Sequence, residues 1–287
     1  MALTINTNIS SLVAQQNLNK ATSSLKQAIE RMTTGYKINH AGDNAAGYSI
    51  ARNWETQLGS LDVAADNAAT GADMMSTLED TYALVSSHLQ RVRDLTEQAA
   101  NGTYGSDSLK AIESEITARL EEINRISANC EFNGRHLMNG SITADINLQV
   151  GLYSGSDSQI ALKSSLFSKA DVKSLFGNSD ELATIAQKCA GRNSGTAASS
   201  MLTSIDNVIK EISNRTTTLG AAQNRIESAI ESIAVQSENI TSSLSTLRDA
   251  DVAEESSKYL QAQILQQAAA TLLSTANQTP SIALNLL

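Results

Sequence analysis

From Leu202 to Leu247 every seventh position is occupied, starting at Ile205, by Ile205, Ile212, Leu219, Ile226, Ile233, Ile240 and Leu247. Leu202, Ile209, Ile230 and Leu244 stand three places earlier in the same heptads. An apolar residue pair repeating every seven positions predicts one long helix with a continuous seam. No proline interrupts the stretch and only Gly220 weakens it. Thr216, Gln223 and Ser237 occupy inner positions of the seam, so this helix requires partner helices from elsewhere in the chain.

A second heptad run supplies one: Leu61, Ala68, Met75, Tyr82 and Leu89, flanked by Leu78, Val85, Val92 and Ala99, predicts a helix to about Ala100. Asn101 to Ser108 carries two glycines and breaks it. Leu109, Ile112, Ile116, Leu120 and Ile123 then predict a third helix to about Ala128, antiparallel to the second because the loop between them is short. Beyond Asn133-Gly134 the period changes to two: Ala144 to Val150 and Gln159 to Leu162 alternate polar and apolar, which predicts a β-hairpin. Residues 165 to 200 are rich in Ser and Gly, with one amphipathic piece around Leu182 to Ala186, and are expected to form the outermost, least constrained part.

The two chain ends carry a different pattern. Ile5, Ile9, Leu12, Leu18, Ala21, Leu25, Ile29 and Met32 keep helical spacing up to a stop at Gly35, and no ionisable side chain precedes Lys20. Gln261 to Leu287 contains no Asp, Glu, Lys, Arg or His, and Ile264, Leu265 and Leu272 give it an apolar stripe. Such helices are too polar to cross a bilayer and too uncharged for a free, solvated surface. Pairing the two ends only with each other would bury little area against their ordering entropy, so burial between separate copies is expected, with the ends unfolded in the lone chain. Thr33 to Gln57, rich in Gly, Asn and Asp, is expected to be a turn-containing connector.

Composition agrees with long helices: of 287 residues 41% are hydrophobic but only 3% aromatic, and there is one proline. The expected fold is mainly α and elongated. A net charge of −9 disfavours nucleic acid and anionic membrane surfaces as partners. No 18-residue apolar run and no cationic, cleavable leader is visible, so membrane insertion and simple Sec secretion are not expected. Catalytic, metal and cofactor sites are not expected either. The connector glycines lack the P-loop lysine and a preceding strand, and His40, His88 and His136 have no metal spacing. Asp249, Asp251, Glu254 and Glu255 suit a solvated helix start. Cys130 and Cys189 are expected to be independent small apolar residues.

Seven short stretches together resemble bacterial flagellin: Ile5-Asn6-Thr7-Asn8, Asn17-Leu18-Asn19-Lys20, Ile29 to Gly35, Asp43-Asn44-Ala45-Ala46-Gly47, Leu219 to Arg225, Ala262 to Ala268, and Ala276-Asn277-Gln278. Met32 and Tyr36 stand where the family usually has leucine. The resemblance implies a hairpin-shaped protomer, with antiparallel terminal helices in a coiled-coil inner domain (1–42 and 248–287) and a helical rod domain (43–140 and 197–247). Residues 141–196 would hold the β-hairpin and a short variable outer segment.

The implied function is a non-enzymatic subunit that polymerises with itself into the extracellular flagellar filament. The terminal residues Ile5, Ile9, Leu12, Leu18, Leu25, Ile264, Leu265 and Leu272 would carry assembly. Type III export, an export chaperone engaging Lys258 to Leu287, and cap and hook-junction proteins are further implied partners. Leu89, Gln90, Arg91, Asp94, Leu95 and Gln98, with Glu115 on the next helix, resemble the segment recognised by the vertebrate Toll-like flagellin receptor. The alternatives are a hook-filament junction protein and a soluble coiled-coil adaptor.

Overall fold

The computed structural model describes residues 8–177, 182–191 and 195–284, with side chains from 197 to 278 in the last stretch. The fold is mainly α, with two small antiparallel hairpins. Helices α1 (Ile9–Thr34), α2 (Ala45–Ala100) and α3 (Ser106–Asn129) precede strands β1 (Glu131–Phe132), β2 (Arg135–His136), β3 (Ile146–Gln149) and β4 (Gln159–Leu162). Two short helices, α4 (Val172–Leu175) and α5 (Leu182–Cys189), lead into the long helices α6 (Gly195–Arg248) and α7 (Val252–Leu284). The chain forms two compact units: one holds the residues to Leu58 and from Glu238 onward, the other is Gly59–Ser237.

The central unit follows the heptads. On α2, Leu61, Ala68, Met75, Tyr82 and Leu89 are buried, as are Leu78, Val85, Val92 and Ala99 between them. Ile112, Ile116, Leu120 and Ile123 of α3 join the same core, with Ile205, Ile212, Leu219 and Ile226 of α6. The predicted hairpin is present in the register Ile146↔Leu162 to Gln149↔Gln159. It packs on α2 at a glycine for a steric reason: a Cβ on Gly71 would lie 2.4 Å from Leu148 Cδ1. Asn67 Nδ2 donates to the Gln149 carbonyl beside it, at 3.2 Å.

The stretch after the hairpin differs from the expectation of a loosely constrained outer segment. Leu166, Phe167, Ala170, Val172, Ile185, Ala186 and Cys189 are all buried in the central core. The backbone there is held by side chains from three helices. Tyr82 Oη donates to the Leu166 carbonyl at 3.1 Å, Arg215 Nη1 to the Ser168 and Lys169 carbonyls at 3.3 Å, and Asn124 Oδ1 accepts from Val172 N at 2.9 Å. Apolar residues too sparse to show a period still fill the core where the polar backbone around them is satisfied.

Each end of the connector is fixed locally. Gly35 ends α1 in the left-handed conformation (φ 75°), its N–H donating to the Arg31 carbonyl at 2.9 Å. Asn44 caps α2, its Oδ1 accepting from Gly47 N at 3.0 Å. The irregular connector is thus only 35–44; the residues from Ala45 to Gln57, expected to lie in it, are helical.

Candidate functional site

Helices α1 and α7 pack antiparallel on each other. Asn8 Nδ2 donates to the Ala276 carbonyl (2.7 Å), Ser11 Oγ to Asn277 Oδ1 (2.7 Å) and Gln266 Nε2 to Thr22 Oγ1 (3.1 Å). Arg31 Nη1 reaches Glu255 Oε1 at 3.4 Å at the far end. The chain ends therefore do have an internal partner, contrary to the expectation that they would lack one. What makes the pairing affordable in area is the residue type: the buried seam is Ala14, Ala21 and Ala28 against Ala262 and Ala269. Each set repeats every seven residues, and alanines let the two backbones approach closely.

Alanine burial leaves the large side chains outside. Ile9 is 70% exposed, Leu12 67%, Ile264 66%, Leu265 52% and Leu272 63%. Leu18 and Leu25 are half-buried at the seam's flank, and Ile5 lies outside the described residues. Between the helices runs an open groove of about 550 Å³, floored by Ala21, Ala28 and Ala262 and rimmed by Leu265 and Leu272. No charged side chain precedes Lys20 on α1 or follows Lys258 on α7, so the charged lining of the groove, with Arg31 and Glu255, lies away from the Asn8 end.

The other end of the pair is charged and closed. Glu255, expected to be solvated, is 4% exposed because Arg31 and Lys258 cover it, with Lys258 Nζ at 2.9 Å from Oε1. Burial of a carboxylate is tolerated when cations satisfy it. Asp251 does start α7 as expected, its Oδ1 accepting from Ala253 N at 2.8 Å. The two connectors are tied side by side: Lys37 N donates to the Arg248 carbonyl (2.7 Å), Ala250 N to the Gly35 carbonyl (2.8 Å), and the Arg248 guanidinium lies 4.0 Å from the Tyr36 ring centre. Arg248 also pairs with Glu55.

The segment on α2 and α3 divides by depth. Leu89 and Leu95 are buried in the core, whereas Gln90, Arg91, Asp94 and Gln98 are exposed and Glu115 is half-buried. Arg91 grips Glu115 Oε1 through both Nε and Nη2 at 2.9 Å, and Gln98 Nε2 donates to Tyr104 Oη at 2.9 Å. The thiols are buried and free, and burial pushes that of Cys189 up to about 11. Among the described residues no group of three potential ligands could hold a metal ion, and no helix is long and apolar enough to cross a membrane.

Residues 5–143 match the bacterial flagellin N-terminal helical region, and residues 202–287 the bacterial flagellin C-terminal helical region. The chain belongs to the bacterial flagellins. It is 31% identical to polar flagellin F of Vibrio parahaemolyticus over the whole of both chains. It is 32% identical to the flagellin of Bacillus subtilis, covering 99% of each. A solved structure described as a flagellar hook-associated protein of Vibrio parahaemolyticus shares the fold (TM-score 0.61, 14% identity, 72% of this chain and 100% of that one). As a flagellin the chain is a structural, self-polymerising subunit of the flagellar filament.

Two features of this flagellin escaped the sequence reading. The alanine seam has a heptad signal of its own, Ala14-Ala21-Ala28, outweighed by the larger residues beside it. Glu255 lies seven residues before Ala262, so the same period places it on the buried face.

Proposed function

We propose that flagellin subunits join one another through the large apolar residues that the α1–α7 pair leaves outside, Ile9 and Leu12 on one helix and Ile264, Leu265 and Leu272 on the other. Leu18 and Leu25 flank the same surface, and the resemblance to the family assigns Ile5 to assembly as well. The observation that carries this reading is the division of labour on the pair: alanines hold it together, and its largest apolar side chains stay in water. Exposed apolar area of this kind is costly until a partner covers it. The apolar, charge-free stripe of α7 also suits an export chaperone that shields it before assembly, and the family resemblance supports type III export and contact with cap and hook-junction proteins at the filament ends.

Leu265→Asp tests the surface, since a carboxylate buried between subunits costs several kcal/mol. Expressed in a flagellated host, the variant should be secreted as monomer with its own N-terminal residues retained by mass spectrometry, melt like wild type, and form no filaments by electron microscopy. Filaments at wild-type yield would overturn the assembly surface, and a start some way into the chain would overturn the export route.

The exposed side of α2 supports a second reading, recognition by the Toll-like flagellin receptor. Gln90, Arg91, Asp94, Gln98 and Glu115 present a mixed polar face, with Arg91 held by Glu115. Leu89 and Leu95 would support that face from the core rather than touch the receptor. Arg91→Ala should weaken binding of monomer to the receptor ectodomain by at least tenfold, about 1.4 kcal/mol; equal affinities in a surface-plasmon measurement would leave the patch a purely structural role.

A further inference from the structure

The chain contains three Asn-Gly pairs, at Asn101, Asn133 and Asn139. An asparagine followed by glycine is a site of self-modification. With no Cβ on the next residue, its backbone nitrogen has free access to the asparagine side chain, and the glycine backbone can adopt the conformation that closes the ring. We infer that Asn101 is a deamidation site of the folded protein, and that the fold protects the other two.

In the reaction the Gly102 backbone nitrogen, losing its proton, attacks Cγ of Asn101. The new N–Cγ bond forms, the Cγ–Nδ2 bond breaks, and Nδ2 leaves as ammonia carrying that proton. Water then opens the resulting succinimide at either carbonyl, giving aspartate or isoaspartate. One water is consumed, one ammonia is released, and one negative charge is gained.

The three sites differ in how firmly they are held. Asn133 and Gly134 form the two-residue turn of the β1–β2 hairpin, both with positive φ (51° and 76°), and the pairs Phe132↔Arg135 and Glu131↔His136 close it. Ring closure would have to break that turn geometry. Asn139 is half-buried next to buried Leu137 and Met138, and its Oδ1 accepts from Ser141 N at 2.9 Å. The Met138 carbonyl beside it is pinned by Ser127 Oγ at 2.9 Å and Ala170 N at 3.2 Å. Asn101, by contrast, is exposed in the loop after α2. Its Oδ1 accepts only a long bond from Thr103 N (3.4 Å), its carbonyl one from Tyr104 N (3.5 Å), and among the described residues Gly102 N donates none.

The product changes the loop in two ways. A carboxylate appears one residue past the C-terminal end of α2, where the helix dipole is already negative. An isoaspartate also adds a backbone atom to the link between α2 and α3, next to the Gln98–Tyr104 hydrogen bond. A subunit that has left the cell is not resynthesised in place, so the modified fraction would grow with the age of the filament.

The three pairs fall on separate tryptic peptides, 94–110, 126–135 and 136–163, which allows a direct comparison. Purified full-length protein held at pH 8 and 37 °C, then digested, should gain about 1 Da on the 94–110 peptide severalfold faster than on the other two. The same incubation in strong denaturant should bring the three rates together. Gly102→Ala should slow only the first peptide while leaving the melting temperature near wild type. Equal native rates at the three sites, or a faster native reaction at Asn133 or Asn139, would overturn the assignment, as would a ranking that denaturant leaves unchanged.

Discussion

The unit formed by the chain ends and the central unit solve the burial problem with opposite side chains. In the central unit the buried residues are the large ones: Tyr82, Phe167, Met75, Leu78, Leu89, Ile116, Leu120 and Ile123 are all fully covered. In the terminal pair the covered residues are chiefly alanines, and Ile9, Leu12, Ile264 and Leu272 remain outside. Burying a leucine-sized side chain is worth roughly 1.5–3 kcal/mol, and an alanine methyl well under half of that. The central unit is therefore stable on its own chain's contacts. The terminal pair holds its shape with a narrow seam and leaves its larger apolar area exposed, the area that the proposed assembly would cover with other subunits.

The sharpest test of this contrast sets one large residue from each region side by side. Phe167→Ala should destabilise the monomer by about 3–5 kcal/mol, because it opens a cavity in a closed core. Leu272→Ala should change monomer stability by less than about 0.5 kcal/mol, as exposed substitutions do, yet reduce polymerisation. Denaturant unfolding of monomer gives the first pair of values and sedimentation of filaments the second. Similar losses for the two variants would mean that the terminal helices bury their leucines within the monomer, and the comparison would fail. The same reasoning makes removal of residues 165–190 damaging to the central unit, since Leu166, Val172, Ile185 and Cys189 go with Phe167.

Elements with a regular hydrophobic period were legible in the sequence, and those without one were not. The heptads of α2 and α6, the end of α1 at Gly35 and the alternation of β3 and β4 all follow from local pattern, because each residue's burial is set by neighbours a fixed number of positions away. Phe167 and Val172 have no such period; they are buried where Tyr82, Asn124 and Arg215 satisfy the backbone around them, and those partners are distant in sequence. On the terminal helices the pattern was present, but its weights misled. Leucine and isoleucine mark the apolar stripe most strongly and led to the expectation of burial between copies, whereas the contact within the chain uses the alanines. The same stripe is what points to assembly in the proposed reading: large apolar side chains on uncharged helices have to be covered by something. On α2 the resemblance grouped Leu89 and Leu95 with the polar residues around Arg91; the heptad already marked Leu89 as seam, and the packing buries Leu95 as well.

The smallest effect expected is electrostatic, and it separates the two regions by pH. In the connector, the N–H groups of His40 and Asn39 donate to Asp43 Oδ2 at 3.0 and 3.1 Å, and Gln27 Nε2 to Oδ1 at 3.2 Å. These bonds, that of His40 foremost, hold the Asp43 carboxyl below the usual carboxylate range. A carboxyl whose folded pKa is depressed stabilises the fold fully above its unfolded value, about 3.9, and the contribution disappears as pH falls through the lower folded value. Asp145 in the central unit is lowered in the same direction by the Ser164 N–H and the Lys163 ammonium. The backing differs, however. Asp145 sits beside a hairpin anchored by buried Ile160 and Leu162, whereas Asp43 organises a connector in which Ile38 is the buried apolar side chain. Asp43→Asn should therefore loosen residues 35–44 at pH 7, seen as faster protease cleavage there, and the gap from wild type should close as pH falls through the lowered folded pKa of Asp43, where the wild-type carboxyl itself takes up a proton. Asp145→Asn should leave cleavage within 141–163 close to wild type across the same pH range, because the hairpin's packing persists without the charge. A cleavage gap for Asp43→Asn that does not narrow at any acid pH at which the wild type stays folded would assign the loss to shape rather than to ionisation.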